Sequence, residues 1–220
     1  MKVSSTYLFN HRSRHQIQIK NGAQPIFVRY TNPFEFNKIF VPPFDGGMEI
    51  KMDIIIEKAT AADADAILEY LRQIGGETDN LSFGAEGLPF SVEDEEKYIS
   101  GLENSADGIL LLAKADGRIV GDASLNRYPR RMSHRGELGV SVIKEYWNRG
   151  VGSNLIKEIL AFARENSFEV IDLEVRSDNP RAIRLYEKFG FQKVGSHSAY
   201  MKINGEYISA DYMCLKLDQK

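Results

Sequence analysis

One cysteine, one tryptophan and four histidines stand among 220 residues, and each scarcity excludes something. Cys214 has no second cysteine to pair with, so no disulfide can form within the chain, and a reducing compartment such as the cytoplasm fits. His11, His15, His134 and His197 are scattered without metal-ligand spacing, and no metal is expected. No apolar run approaches the roughly 20 residues that span a bilayer, which argues against a membrane partner. Neither sign of charge dominates. A formal charge of −3 lacks the clustered Lys and Arg that neutralise phosphates, so a nucleic-acid partner is not expected.

That charge is uneven. Residues 1–47 hold six Lys or Arg against two acids, an excess of four positive charges, so the remainder carries −7. An acidic body suits a cationic acceptor such as an amine, and it equally suits an ordinary solvated surface. The opening stretch has no acidic residue before Glu35 and no helical period, and it closes on Pro42-Pro43 and Gly46-Gly47. It also lacks the apolar core of a secretory signal. We expect a poorly ordered extension over 1–47 and a single globular domain over 48–218, starting near Met48 or Met52. At 43% hydrophobic residues, the chain is long enough for a full core.

Within that domain, Asp53 to Lys58 predicts a first strand. Thr60 caps the helix that follows, with Asp63 three residues on, and its stripe of Ala64, Ile67, Leu68 and Leu71 is expected to stop at Gly75-Gly76. Ser91 caps an acidic helix. Ile109 to Ala115 and Ile119 to Leu125 are strands joined by the hairpin dipeptide Asp116-Gly117. Two more strands, Val194 to Ile203 and Ile208 to Leu217, close the chain around Asn204-Gly205.

The middle of the chain carries the chemistry. Glu137 to Ile143 ends a β-branched strand, and Asn148-Arg149-Gly150-Val151-Gly152-Ser153 turns directly into a helix with Leu155, Ile156, Ile159, Leu160 and Ala163 on one face. A glycine turn at a helix start suits an anion, because its N–H groups and the helix dipole point the same way. A strand over Val170 to Val175 follows. Then Asn179-Pro180 opens a further helix, and Gly190 ends it.

At these residues the chain resembles the GCN5-related N-acetyltransferase (GNAT) family, in its bacterial form. The Arg-Gly-Val-Gly turn is similar to the family's pyrophosphate loop. The run Asn179-Pro180-Arg181-Ala182-Ile183-Arg184-Leu185-Tyr186, ending in Gly190-Phe191, is similar to its second cofactor segment. Trp147 stands where the family loop usually opens with Gln or Arg. The resemblance covers roughly Asp53 to Leu217. It implies an α/β (α+β) fold with a mixed, mostly antiparallel central sheet, helices on both faces, and a splay or bulge at the central strand near Ser141.

It also implies transfer of an acetyl group from acetyl-CoA, as cosubstrate, to a primary amine on a small molecule or peptide, by direct attack and without a metal. Asn148 to Ser153 would hold the pyrophosphate, and Val140, Ser141 and Val142 would pair their backbone with the pantetheine arm. Asn179 would bond the pantetheine amide or simply cap its helix. Tyr186 would be the general acid beside the sulfur. Glu174 or Glu137 would be the base, with a water chain as a third option. A strand-face charge paired to Arg is the plain alternative for each glutamate. Two rival functions are weighed: a non-catalytic acyl-CoA-binding sensor of the same fold, and half of a dinucleotide-binding oxidoreductase. Leu155 occupies the place of the third glycine in that second fingerprint. Oligomeric state is left open, a homodimer among the options.

Overall fold

The computed structural model describes residues 54–218 in full and the backbone of three two-residue strands before them. The chain divides into two units, Met1–Asn37 and Lys38–Lys220. Of the first, only the antiparallel pair β1 (Gln18–Ile19) and β2 (Ile26–Phe27) is described. The poorly ordered extension expected over 1–47 falls, apart from these short pieces, outside the described residues.

The second unit is built on an eight-stranded sheet. Its strands are β3 (Lys38–Ile39), β4 (Ile54–Lys58), β5 (Gly108–Ala115), β6 (Arg118–Arg127), β7 (Arg135–Val142), β8 (Val170–Arg176), β9 (Gln192–Ile203) and β10 (Glu206–Lys216). They lie in the order β3-β4-β5-β6-β7-β8-β10-β9. Every pairing is antiparallel except β7 with β8. The β3–β4 pair brings Lys38 and Ile39 into the sheet edge, upstream of the boundary expected at residue 48.

Sheet period and helix stripe explain the layers. Along β6, Gly121, Ala123 and Leu125 face one way and Asp122, Ser124 and Asn126 the other. Helix α3 (Val151–Glu165) lies against the first set, since a Cβ on Gly121 would stand 3.2 Å from Val151 and 3.3 Å from Leu155. Its stripe of Leu155, Ile156, Ile159, Leu160 and Ala163 is buried as the periodicity predicts. Each large side chain so buried is worth about 1.5–3 kcal/mol relative to exposure. Helix α1 (Ala64–Glu77) covers the opposite face, where Tyr70 reaches Asp122 and Ser141. Helix α2 (Val92–Leu102) packs beside α1, with Ser91 and Asp94 completing its capping box.

Helix α1 does not stop at Gly75-Gly76 as expected but runs through both glycines. The carbonyl of Gly84 sits 2.0 Å from where a Gly75 Cβ would be. These glycines let the following loop lie on the helix; they do not end it. The two hairpins turn where their dipeptides predict. Asp116 and Gly117 have φ of 49° and 82°, and Asn204 and Gly205 have 51° and 88°.

The central irregularity is where β7 and β8 part. Their parallel pairing holds for Arg135↔Val170, Gly136↔Ile171 and Glu137↔Asp172, and then ends. On its other side β7 stays in register with β6 through Val142, without a bulge. From Leu138 to Val142 the strand is therefore laddered on one edge only. The opening expected near Ser141 is a splay rather than a bulge, and it begins just past Glu137.

Candidate active site

One cavity of about 330 Å³ sits at this splay, walled by β7, the turn into α3, and α4 (Pro180–Lys188). Val140, Ser141, Val142, Asn148, Gly150, Val151, Gly152, Ser153, Asn179 and Tyr186, ten of the residues singled out from the sequence, share its walls. Arg149 does not line it; its guanidinium lies 5.2 Å from the Tyr146 ring centre.

The turn into α3 is shaped for a close approach. Asn148 and Gly150 both have positive φ, at 62° and 81°. Gly152 does not, so its role is space and not backbone freedom. A Cβ there would come within 3.3 Å of Leu185 and 3.8 Å of Val142, both cavity-lining residues. No side chain caps α3, whose first hydrogen bond runs from the Asn154 N–H to the Gly150 carbonyl at 3.0 Å. The amides of the first turn are thus left facing the cavity end of the helix with its positive dipole. An anionic diphosphate fits that cradle, and an extended amide-bearing arm fits the unladdered edge of β7.

Two side chains shape the mouth. The Trp147 indole N–H donates to the Val142 carbonyl at 2.6 Å, tying the loop to the end of β7, and the Arg181 guanidinium stacks 3.4 Å from the Trp147 ring centre. Asn179 caps α4 by accepting from the Ala182 N–H at 3.2 Å, so the capping role is filled. Tyr186 is 8% exposed and packs edge-on against Phe191, with ring centres 5.9 Å apart. Its hydroxyl makes no hydrogen bond among the described residues. Burial pushes its pKa up to about 12, which keeps it in the proton-bearing form at neutral pH.

The two glutamates lie elsewhere. A second cavity of about 350 Å³ is lined by Tyr128, Arg135, Glu137, Asp172, Glu174 and Tyr212, with Leu173, Val194, Gly195 and Met213. It opens on the α1/α2 face, because Arg135 and Glu137 alternate with the α3-facing Gly136 and Leu138. Glu174 accepts a short hydrogen bond from the Tyr200 hydroxyl. Burial, and then the neighbouring Glu174 and Asp172, raise the pKa of Glu137 above the usual carboxylate range. Arg135 Nε is held by Asp172 at 2.9 Å. Arg176, the partner that sequence proximity suggested for Glu174, binds Asp178 instead, at 2.7 Å.

A polar group that sequence reasoning missed joins the first cavity from behind. Ser141 donates to Asp122 at 2.5 Å, and the Tyr70 and Ser141 hydroxyls are 2.6 Å apart. Burial lifts the Asp122 pKa to about 6 against the hydrogen bonds from Ser141 and Tyr70. A lone carboxylate within the apolar strand Ile119 to Leu125 was the available signal. Its partner Tyr70 lies 52 residues away, which the sequence does not reveal.

Comparison with known proteins agrees with this architecture. The model of the "Acetyltransferase (GNAT) family" matches residues 76–191, which include the turn, the splay and α4. The L-amino acid N-acetyltransferase AaaT of Escherichia coli is 39% identical over 106 residues, covering 47% of this chain and 65% of that protein. The N-alpha-acetyltransferase RimI of Mycobacterium tuberculosis is 38% identical over 94 residues, 42% of this chain and 58% of that protein. The chain thus spans about three fifths of the length of these curated relatives. A GNAT-family acetyltransferase from Streptococcus pneumoniae superposes with a TM-score of 0.73 at 29% identity, covering 75% of this chain and 100% of that one. With the family model matching more than half of the chain, and its two motifs walling one cavity at a splayed parallel pair, the protein belongs to the GNAT acetyltransferase family.

Proposed function

We propose that the chain transfers an acetyl group from acetyl-CoA to a primary amine by direct attack within a ternary complex. The observation that carries this reading is the pairing of an uncapped, glycine-opened helix start with an unbonded, buried phenol in the same cavity. The α3 amides and the Gly152 space would hold the diphosphate, and the free edge of β7 over 140–142 would pair with the pantetheine arm. Asn179, already the cap of α4, would offer its side chain to the pantetheine amide. In the reaction a C–N bond forms and the C–S bond breaks. The amine loses a proton to a carboxylate, Glu174 by preference and Glu137 otherwise, directly or through water. Tyr186 gives its proton to the departing sulfur. Arg149, off the cavity wall, would serve only through its charge.

We assign the activity to residues 48–218, with 1–47 as an extension whose Lys38–Ile39 pairs at the sheet edge. The single cysteine suits a cytoplasmic setting. Among the described residues, no helix is long and apolar enough to cross a membrane. The test is thiol release from acetyl-CoA by the full chain over polyamines, aminoglycosides, amino acids and peptide amino termini. Amine-dependent release is expected. Tight acetyl-CoA binding without release by any amine would replace the enzyme with a non-catalytic acyl-CoA sensor.

A further inference from the structure

The second cavity has a charge balance that selects its occupant. Three carboxylates, Glu137, Asp172 and Glu174, share its wall with one cation, Arg135. That cation's charge is already balanced: its Nε holds Asp172 at 2.9 Å, and the pair lies on the β7–β8 register just where the ladder ends. Two glutamates are left without an ion-pair partner among the described residues, Glu174 bonded only by the Tyr200 hydroxyl, and Tyr128 and Tyr212 add two rings to the wall. The nearest cations in sequence are also engaged, Arg176 by Asp178 at 2.7 Å and Lys193 by Asp211 at 2.8 Å. Among the described residues, no group of three or more His, Cys, Asp or Glu is arranged to hold a metal ion. These carboxylates face a cavity large enough for an organic group, and Glu137 sits on β7, whose next residues wall the first cavity.

We infer that this cavity is the acceptor pocket and that it takes amines with no carboxylate next to the nitrogen, such as a peptide amino terminus, in preference to free α-amino acids. The inference rests on the proposed acetyl transfer and names its acceptor class. An ammonium entering between Glu137 and Glu174 is drawn in by both. A free amino acid brings a carboxylate within two bonds of that ammonium. To be accepted, that carboxylate needs a free guanidinium or ammonium, and the wall offers only one that Asp172 already holds. Placing it beside two glutamates is repulsive in a partly desolvated site. An amide or peptide bond in the same position carries no charge and meets tyrosine hydroxyls that can bond it.

The experiment compares L-methionine with L-methionine amide, and L-phenylalanine with its amide, as acceptors for the full chain with saturating acetyl-CoA. Rates are compared at a pH below both amine pKa values, where acid and amide alike arrive as the ammonium that the glutamates draw in. The expected kcat/KM ratio favours the amide at least tenfold in both pairs. Asp172→Asn releases Arg135 while keeping its shape, and it should lower that ratio by improving the free acid. Glu137→Gln should lower it by removing one repelling charge, whatever it does to the absolute rate, since both acceptors share the chemistry. A wild-type ratio near or below one, with thiol release otherwise normal, overturns the acceptor class and leaves acetyl transfer standing. A ratio unmoved by both variants overturns the pocket assignment. Absence of release with every amine overturns acetyl transfer itself, and this inference with it.

Discussion

The two cavities beside the β7–β8 opening are made of different materials. The first is walled by glycine, aliphatic and uncharged polar side chains with two arginines, holds no carboxylate, and has two buried phenols, Tyr146 and Tyr186. The second is walled by carboxylates and tyrosines. One strand serves both at different places along its length: Arg135 and Glu137 of β7 line the second cavity, and Val140, Ser141 and Val142 the first. The lesson is a division of labour: a constant partner can be held by main chain and space, while a variable one is chosen by side-chain charge.

The sharpest way to break that contrast is to change chemistry in the first cavity without changing its fit. Tyr186→Phe keeps the ring and its edge contact with Phe191 and removes only the hydroxyl. We expect kcat to fall roughly 10²–10⁴-fold, with acetyl-CoA affinity held within a few-fold, measured by steady-state kinetics beside calorimetry. Full activity in this variant would remove Tyr186 from the reaction.

A smaller effect is expected from changing the fit and charge of the turn into α3. Gly152→Asp puts a Cβ 3.3 Å from Leu185 and a carboxylate beside the free amides of α3. Calorimetric affinity for acetyl-CoA should weaken at least tenfold, about 1.4 kcal/mol. Unchanged affinity in a folded variant would sink the phosphate cradle.

The smallest concerns stability, at the network behind Ser141. Asp122 has a folded pKa of about 6 against 3.8 when solvated, so the unfolded chain ionises first. Its contribution favours the fold below about pH 3.8 and is lost as pH rises through about 6. Asp122→Asn cannot ionise. It should therefore raise stability at pH 8 by about 1–3 kcal/mol relative to any effect at pH 4, read by urea denaturation at both values. An Asn variant with the same offset at both pH values would show that burial does not hold the charge off Asp122.

The legible parts of the molecule were those where local and long-range order coincide. The α3 stripe, the Asn179-Pro180 start, Gly190 and both hairpin dipeptides carry their geometry within a few residues, and the structure has them in place. Gly75-Gly76 misled because its reason lies in Gly84, a contact outside the local window. Ten of the residues expected to hold the cofactor share one cavity wall, because two motifs bracket one strand. The second cavity was opaque: Tyr200 lies on β9, Tyr212 on β10 and Tyr128 just past the end of β6, and only the sheet order brings them towards Glu174. Asp122 was visible as an isolated carboxylate, but Tyr70 and Ser141, which give it meaning, arrive from another helix and strand.

Trp147 is the only tryptophan in the chain, and it stands in the wall of the first cavity beneath the Arg181 guanidinium, its N–H bound to Val142. Its ultraviolet emission therefore reports from one place alone. Any ligand that lifts Arg181 off the ring, or that reaches the edge of β7, changes the surroundings of the single dominant fluorophore. The protein carries its own optical titrant for the cleft, and occupancy can be followed in real time without a label, a coupled assay or a chosen acceptor.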